Sequence, residues 1–263
     1  MSGQALAPPA EIRLLGYRMH PMTADQVIDQ IVAAAADKRR LVMANINLHG
    51  MAVMYDSPAM ARLLCQDDAQ VMIDGMPIIA MGRIAKHPLT REMRVTSLDF
   101  YDRMFAIFRD RGWKIGYVGG SPDVLERGLA ELRRRVPGLD IDGRDGFFDM
   151  GDDSPGSRQA EILSWLDERS HDMLIVGMGM PRQEEWIARI QHRIPTRVLV
   201  PTGAYLDYQI GAQALPPRWM GQMGVEWAYR LVKSPRRLGH RYLIEPMLLV
   251  SRMLTRRHPQ GPA

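Results

Sequence analysis

Asp172-Met173-Leu174-Ile175-Val176-Gly177-Met178-Gly179-Met180-Pro181-Arg182-Gln183-Glu184-Glu185-Trp186-Ile187 is the stretch whose reading decides the fold. Leu174 to Val176 is an apolar run of the kind a strand shows when both of its faces are buried. Gly177 and Gly179 let the backbone turn tightly and come close to a ligand. Pro181 suits the first turn of a helix, where its missing N–H costs little. Trp186, Ile187 and Ile190 follow at helical spacing. The stretch therefore predicts strand, glycine turn, helix. A helix N-terminus carries unpaired N–H groups and partial positive charge, which favours phosphate. Gln183 and Glu184 fall in the first turn, facing whatever binds there. The plainer reading is a structural turn with a surface Gln and Glu, because G-x-G lacks the third glycine of a dinucleotide fingerprint.

Outward from this stretch the same alternation recurs. Residues 197–200 read as the next strand and 201–211 as a loop or broken strand. Before it, 113–118 is a strand, and Gly119-Gly120-Ser121-Pro122 turns into a helix over 123–135. A short strand at 139–142, a Gly- and Asp-rich loop at 143–156 and a helix over 158–168 complete that half. In the first half, 12–19 form a hairpin and Thr23-Ala24-Asp25-Gln26 is a capping box opening a helix. A strand at 41–44 runs into Asn45-Ile46-Asn47, followed by a helix over 52–65. Another strand at 71–73 ends in Asp74-Gly75, and a helix near 99–111 has Ser97 as a candidate cap. This order predicts βαβ units: an α/β fold with a mostly parallel, Rossmann-like sheet and helices on both faces. The predicted division is a disordered 1–11, an α/β catalytic domain over 12–212 and a helical, basic appendage over 213–263.

Several side chains fall where such sheets bind ligands, at the carboxyl ends of strands. Asp74 can reach a cleft there, although capping the helix that starts near Pro77 is the plainer task. Asn45 and Asn47 can orient a ligand, or serve as turn residues. The turns at Gly119-Gly120 and at Gly177 offer two places for a nucleotide's phosphates and base. Arg94 can clamp a phosphate with its planar fork, or be solvated. Asp140-Ile141-Asp142 spells the D-x-D pattern that binds metal in other enzymes, though such triplets arise often by chance. No His/Cys cluster suggests zinc.

The totals bound the class. The chain has 263 residues, 46% of them apolar and 24% charged, an ordinary soluble composition. One cysteine, Cys65, fits a reducing compartment and reads as a packed core thiol. Residues 213–263 hold nine Lys or Arg against two acidic residues, so the net charge of +4 belongs to the C-terminal fifth. That asymmetry suits an anionic partner: nucleic acid, membrane surface or phosphorylated ligand. No signal peptide and no apolar run long enough to span a bilayer are legible. The tail over 242–254 suits a helix lying among lipid headgroups, or one docked on its own domain.

These motifs together resemble the WecG/TagA/CpsF glycosyltransferases (glycosyltransferase family 26), which make bacterial surface polysaccharides. Asn45-x-Asn47 resembles the family's Thr-x-Asn loop with Asn for Thr, and Asp74-Gly75 its Asp-Gly motif. Arg94-Val95 with Asp99 is similar to Arg-Val-x-Gly-x-Asp, with Ser97 for Gly. Val118-Gly119-Gly120 is similar to its glycine pair. Gly177 to Trp186 resembles G-x-G-x-P-[KR]-Q-E-x-W, and Glu226-Trp227-x-Tyr229-Arg230 with Pro235-x-Arg237 its C-terminal module. Leu215-Pro216-Pro217 and Pro201-Thr202 depart from the usual pattern. The resemblance implies a Rossmann-like, GT-E-like fold. It also implies an inverting transfer of a hexose or N-acetylhexosamine from a UDP-sugar to a polyprenyl-diphosphate-linked sugar, commonly β-1,4, with no metal or other cofactor. It implies Asp74 as base, with Arg94 beside it. Asn45, Asn47, Gly75, Gly119, Gly120, Gly177, Gly179, Gln183 and Glu184 would hold the donor. Arg230, Arg237 and Arg241 would meet the lipid diphosphate. Self-association, contact with the inner face of the cytoplasmic membrane and no nucleic-acid partner are implied too. The rival expectation is an NAD(P)-dependent oxidoreductase, with Asp140 or Asp142 as the ribose-binding acid.

Overall fold

A computed structural model describes residues 6–213 and 244–255, together with residues 220, 229, 231, 232, 239, 258 and 259. Arg230, Arg237 and Arg241 lie outside the described residues, as does most of the expected appendage before residue 244.

Six strands form one parallel sheet: β3 (Leu41–Ile46), β4 (Ala69–Ile73), β5 (Ile115–Gly119), β6 (Ile141–Arg144), β7 (Met173–Gly177) and β8 (Val198–Pro201). Their spatial order is β4-β3-β8-β7-β5-β6. β1 (Ile12–Leu14) and β2 (Tyr17–Met19) pair antiparallel as the expected hairpin. The quoted stretch explains why the sheet is buried on both faces. Leu174 and Val176 point into one core cluster, while Met173 and Ile175 point into the other. An unbroken apolar run is what a strand with two covered faces requires.

One layer contains α2 (Leu48–Val53), α3 (Pro58–Leu64), α4 (Met76–Ile84), α7 (Arg158–Arg169) and α8 (Arg182–Ile190). The other contains α1 (Ala24–Ala36), α5 (Ser97–Asp110), α6 (Pro122–Arg135) and α9 (Tyr205–Gln209). The capping box at Thr23 is present, with Gln26 Oε1 accepting from the Thr23 N–H at 2.9 Å.

Some expectations need correction. The single helix over 52–65 is two helices: Pro58 cannot continue a helix, and Ser57 caps a new one by accepting from the Met60 N–H at 3.3 Å. Cys65 is exposed, not a core thiol, because it sits at the C-cap of α3. Thr96, not Ser97, is the cap of α5, with Asp99 accepting from the Thr96 N–H at 2.8 Å. Pro181 stands one residue before α8, after a cis Met180–Pro181 bond, and 205–209 form a short helix within the expected loop.

The C-terminal helix α10 (Glu245–Thr255) docks on α2. Leu249 is its one buried apolar residue. Arg252 donates to the Ala52 carbonyl at 2.8 Å and pairs with Asp56 at 2.7 Å, while Glu245 meets His49 at 2.7 Å. Met247, Val250 and Leu254 are exposed at helical spacing. Among the described residues no helix is long and apolar enough to cross a membrane.

Candidate active site

Because all six strands are parallel, every carboxyl end opens on one edge of the sheet. There β4 releases Asp74, β3 releases Asn45 and Asn47, β5 the Gly119 turn, β7 the Gly177 turn and β8 Thr202-Gly203. The sequence-based site residues on described positions are therefore brought to one side of the molecule.

Asp74 does not cap α4. Gly75, with φ of 138°, occupies that cap and makes no side-chain bond. The Asp74 N–H donates to the Ile46 carbonyl at 2.8 Å, extending the β3–β4 ladder by one residue and holding the side chain at the edge. The Nδ2 groups of Asn45 and Asn47 both donate to Asp74 Oδ2, each at 3.2 Å. Among the described residues Oδ1 carries no hydrogen bond. Asn47 is itself fixed, since its Oδ1 accepts from the Gly50 N–H at 3.0 Å and caps α2. Asn45 Oδ1 is buried and has no partner among the described residues. One carboxylate oxygen is thus saturated by amides, and an unspent acceptor stands beside it. Val95 N–H donates to the Ile73 carbonyl at 2.9 Å, which sets Arg94 against the end of β4. The Arg94 side chain is 16% exposed and lies 3.9 Å from Asp99.

Two of the strand-end glycines have a packing task. A Cβ on Gly119 would stand 2.3 Å from the Gly177 carbonyl oxygen, and one on Gly177 would stand 2.0 Å from the Tyr117 hydroxyl. These two glycines are needed for close packing of β5 on β7. Gly120 N–H donates to the Gly177 carbonyl at 3.3 Å. Gly179 and Gly203 differ: they have positive φ, and among the described residues nothing lies within 4 Å of where a Cβ would stand. Their N–H groups are nonetheless spent, both on Gln183 Oε1, at 3.1 and 2.9 Å.

Gln183 and Glu184 do not face outward; each is 1% exposed. Gln183 Nε2 donates to Glu184 Oε1 at 2.7 Å, and Glu184 Oε2 is buried without a partner among the described residues. Burial raises the Glu184 carboxyl from its ordinary 4.5 to about 7. The first turn of α8 places them inward because Trp186, Ile187 and Ile190 fill the core on that side.

Asp140 pairs with Arg169 at 2.9 Å, and Asp142 bonds His171 at 2.7 Å and the Trp165 N–H at 3.2 Å. Both carboxylates are engaged in holding β6 to α7, so neither fits the D-x-D metal or ribose-binding reading. Among the described residues no group of three His, Cys, Asp or Glu is placed to hold a metal.

Phe147 escaped the sequence reading. It is 75% exposed on the loop after β6. The loop is pinned beside the glycine turns: Gly146 N–H donates to the Gly120 carbonyl at 2.9 Å, and Arg182 donates to the Gly146 carbonyl at 3.2 Å. The neighbouring Phe148 packs on Trp186, with ring centroids 5.6 Å apart. In sequence, Phe147 looks like half of an apolar pair; only the fold shows that one ring anchors the loop and the other is presented.

Comparison with known proteins identifies a family. The glycosyl transferase WecG/TagA/CpsF family matches residues 12–261. Relatives include the N-acetylglucosaminyldiphosphoundecaprenol N-acetyl-beta-D-mannosaminyltransferases of Staphylococcus aureus strains MW2 and MRSA252. Each is 23% identical over 231 residues, covering 88% of this chain and 87% of the relative.

Proposed function

The chain belongs to the WecG/TagA/CpsF family of glycosyltransferases, and from that premise we propose a specific reaction. A hexose or N-acetylhexosamine passes from a UDP-sugar to a sugar carried on polyprenyl diphosphate, with inversion to a β-linkage, β-1,4 in the family's manner. The product feeds assembly of a bacterial exopolysaccharide or other cell-surface polysaccharide. The named relatives act on a sugar carried by diphosphoundecaprenol, which supports an acceptor of that class. A parallel sheet with its ligand edge intact supports a nucleotide-sugar donor.

The observation that carries the reading is the Asp74 carboxylate, held through Oδ2 by two asparagine amides. Inversion needs a single in-line displacement. Asp74 Oδ1 takes the proton from the acceptor hydroxyl as that oxygen attacks the anomeric carbon. The bond from that carbon to the diphosphate oxygen breaks, and UDP leaves with its electron pair. Asn45 Oδ1 is suited to accept a sugar hydroxyl. The Phe147 face suits a planar base, since stacking on an aromatic ring needs no particular base edge.

Charge on the departing diphosphate must be met without N–H groups from Gly120, Gly179 and Gly203, which are spent. Arg94 is the described candidate. Arg230, Arg237 and Arg241 are proposed to meet the lipid diphosphate, because a guanidinium pairs with phosphate in two-pronged fashion. The exposed stripe of α10 and the basic C-terminal fifth support work at the inner face of the cytoplasmic membrane. The predicted division, catalytic over 12–212 and appended over 213–263, is proposed on the same ground.

Asp74→Asn tests the reading. The variant keeps its fold and UDP binding and loses transfer, because an amide cannot take the hydroxyl proton. Turnover near wild type removes Asp74 as the base. A screen of UDP-glucose and UDP-N-acetylmannosamine with a synthetic prenyl-diphosphate sugar, with and without EDTA, identifies the donor. Thermal stabilisation by NAD and not by UDP overturns the proposal.

A further inference from the structure

Two N–H groups from different strand ends, Gly179 after β7 and Gly203 after β8, converge on one oxygen, Gln183 Oε1, at 3.1 and 2.9 Å. A glutamine amide has two ends of opposite polarity, and only one orientation presents its oxygen to both donors. The other end, Nε2, lies 2.7 Å from Glu184 Oε1. Turning the amide over would set its NH2 against two N–H donors and its oxygen against a carboxyl oxygen. Both Gln183 and Glu184 are buried, so water cannot substitute for either contact. No cation stands among the partners described for Glu184, so its task there is not an ion pair. Among the described residues nothing stands within 4 Å of where a Cβ on Gly179 or Gly203 would lie. The turns are therefore tied from beneath.

We propose that Glu184 is a positioning residue: it fixes the Gln183 amide so that its oxygen locks the two glycine turns at one spacing, which sets the shape of the wall beside the donor. The residue acts through Gln183 and does not touch substrate. The donor part rests on the functional reading above; the locking of the turns does not. What Glu184 must supply is an acceptor oxygen, which a neutral carboxyl or a primary amide supplies as well as a carboxylate.

The test compares wild type, Glu184→Gln and Glu184→Leu in the full chain by amide hydrogen exchange and by titration with UDP. Glu184→Leu fills the space but removes the acceptor. Exchange in peptides covering residues 177–180 and 202–204 then speeds up by about tenfold or more, and the UDP Kd weakens by a similar factor, while α1 and α5 keep their protection. Glu184→Gln stays within about twofold of wild type in both readouts, because its amide oxygen still accepts. Unchanged exchange in Glu184→Leu overturns the proposal. So does a Glu184→Gln variant as impaired as Glu184→Leu, or acceleration spread evenly over the chain, which marks general packing. If wild type itself does not bind UDP, the functional reading fails, and the exchange arm still decides whether the turns are locked.

Discussion

Glu184→Gln should also change how stability depends on pH. The folded-state carboxyl titrates at about 7 against an ordinary 4.5, because burial disfavours its charge. Between those values the folded protein keeps a proton that the unfolded chain has lost. Stability from this group is therefore full below 4.5, falls as pH rises and is gone above about 7. At about 1.4 kcal/mol per pH unit, the loss comes to roughly 3 kcal/mol. The raw wild-type curve will hide it. His20 is also buried, and burial lowers its ring from 6.5 to about 4, aided by the nearby Arg18 charge. A depressed histidine does the reverse: the unfolded chain binds the extra proton, so stability rises with pH over nearly the same window. The two contributions offset each other. Subtracting the Glu184→Gln curve from that of wild type removes His20, which both proteins share, and leaves Glu184 alone. Urea unfolding at pH 5 and pH 8 is the assay. Relative to wild type, Glu184→Gln should gain roughly 2.5 kcal/mol between those pH values, a change of several degrees in Tm for a chain of this size. Parallel curves would refute the account, because they would mean that Glu184 is already ionised in the folded protein near pH 5.

Other outcomes follow from the same geometry. Asn47→Ala removes a donor to Asp74 and the cap of α2; it should cost about 1 kcal/mol in urea unfolding and lower kcat more than KM. A raised KM with kcat unchanged would count against positioning of the base. Gly119→Ala drives a methyl to within 2.3 Å of the Gly177 carbonyl oxygen and should cost about 2 kcal/mol or more in unfolding. A variant as stable as wild type would show that β5 and β7 can part. Phe147→Ala should raise KM for the UDP-sugar by roughly tenfold with kcat little changed, as expected for loss of about 1–3 kcal/mol of base stacking. An unchanged KM would remove the ring from the donor site.

Much of the fold was legible because burial on both faces writes itself into strands as short apolar runs. Leu174 to Val176, residues 197–200 and residues 71–73 could hardly be read otherwise. Asp74, Asn45 and Asn47 were legible as an edge cluster because each follows such a run. What the sequence hid was direction. Nothing in Arg182-Gln183-Glu184-Glu185 tells that the middle pair turns inward; the helix phase set by Trp186 and Ile187 decides it, and that phase shows only once the core is packed. The glycines were ambiguous for a related reason. A strand-end glycine can mean a close ligand or a close neighbouring backbone, and at Gly119 and Gly177 the neighbour is the β5–β7 pair. The break between α2 and α3 is written in Ser57-Pro58, a cap followed by a helix-starting proline, but a long apolar pattern runs across it.

The division of labour at the sheet edge follows from how its polar groups are spent. On the β7–β8 side, Gly120, Gly179 and Gly203 give their N–H groups to protein oxygens, so that wall supplies shape and rigidity rather than charge. On the β3–β4 side, Asn45 Oδ1 is a buried acceptor with no bond among the described residues and Asp74 takes both asparagine amides on Oδ2, so in the proposed reaction that wall receives hydroxyl groups and a proton. The proposed reaction brings two diphosphates, one on the donor and one on the acceptor lipid, and both need positive charge. The surplus of basic residues lies in the C-terminal fifth. Its last helix is tied by Glu245 and Arg252 to α2, the helix that Asn47 caps. The tail is thereby anchored two residues from the asparagine that holds the proposed base. An enzyme whose sheet supplies the acceptors and whose tail supplies the cations would complete its site only with the tail in place, and that arrangement suits a reaction whose acceptor is carried on a membrane lipid.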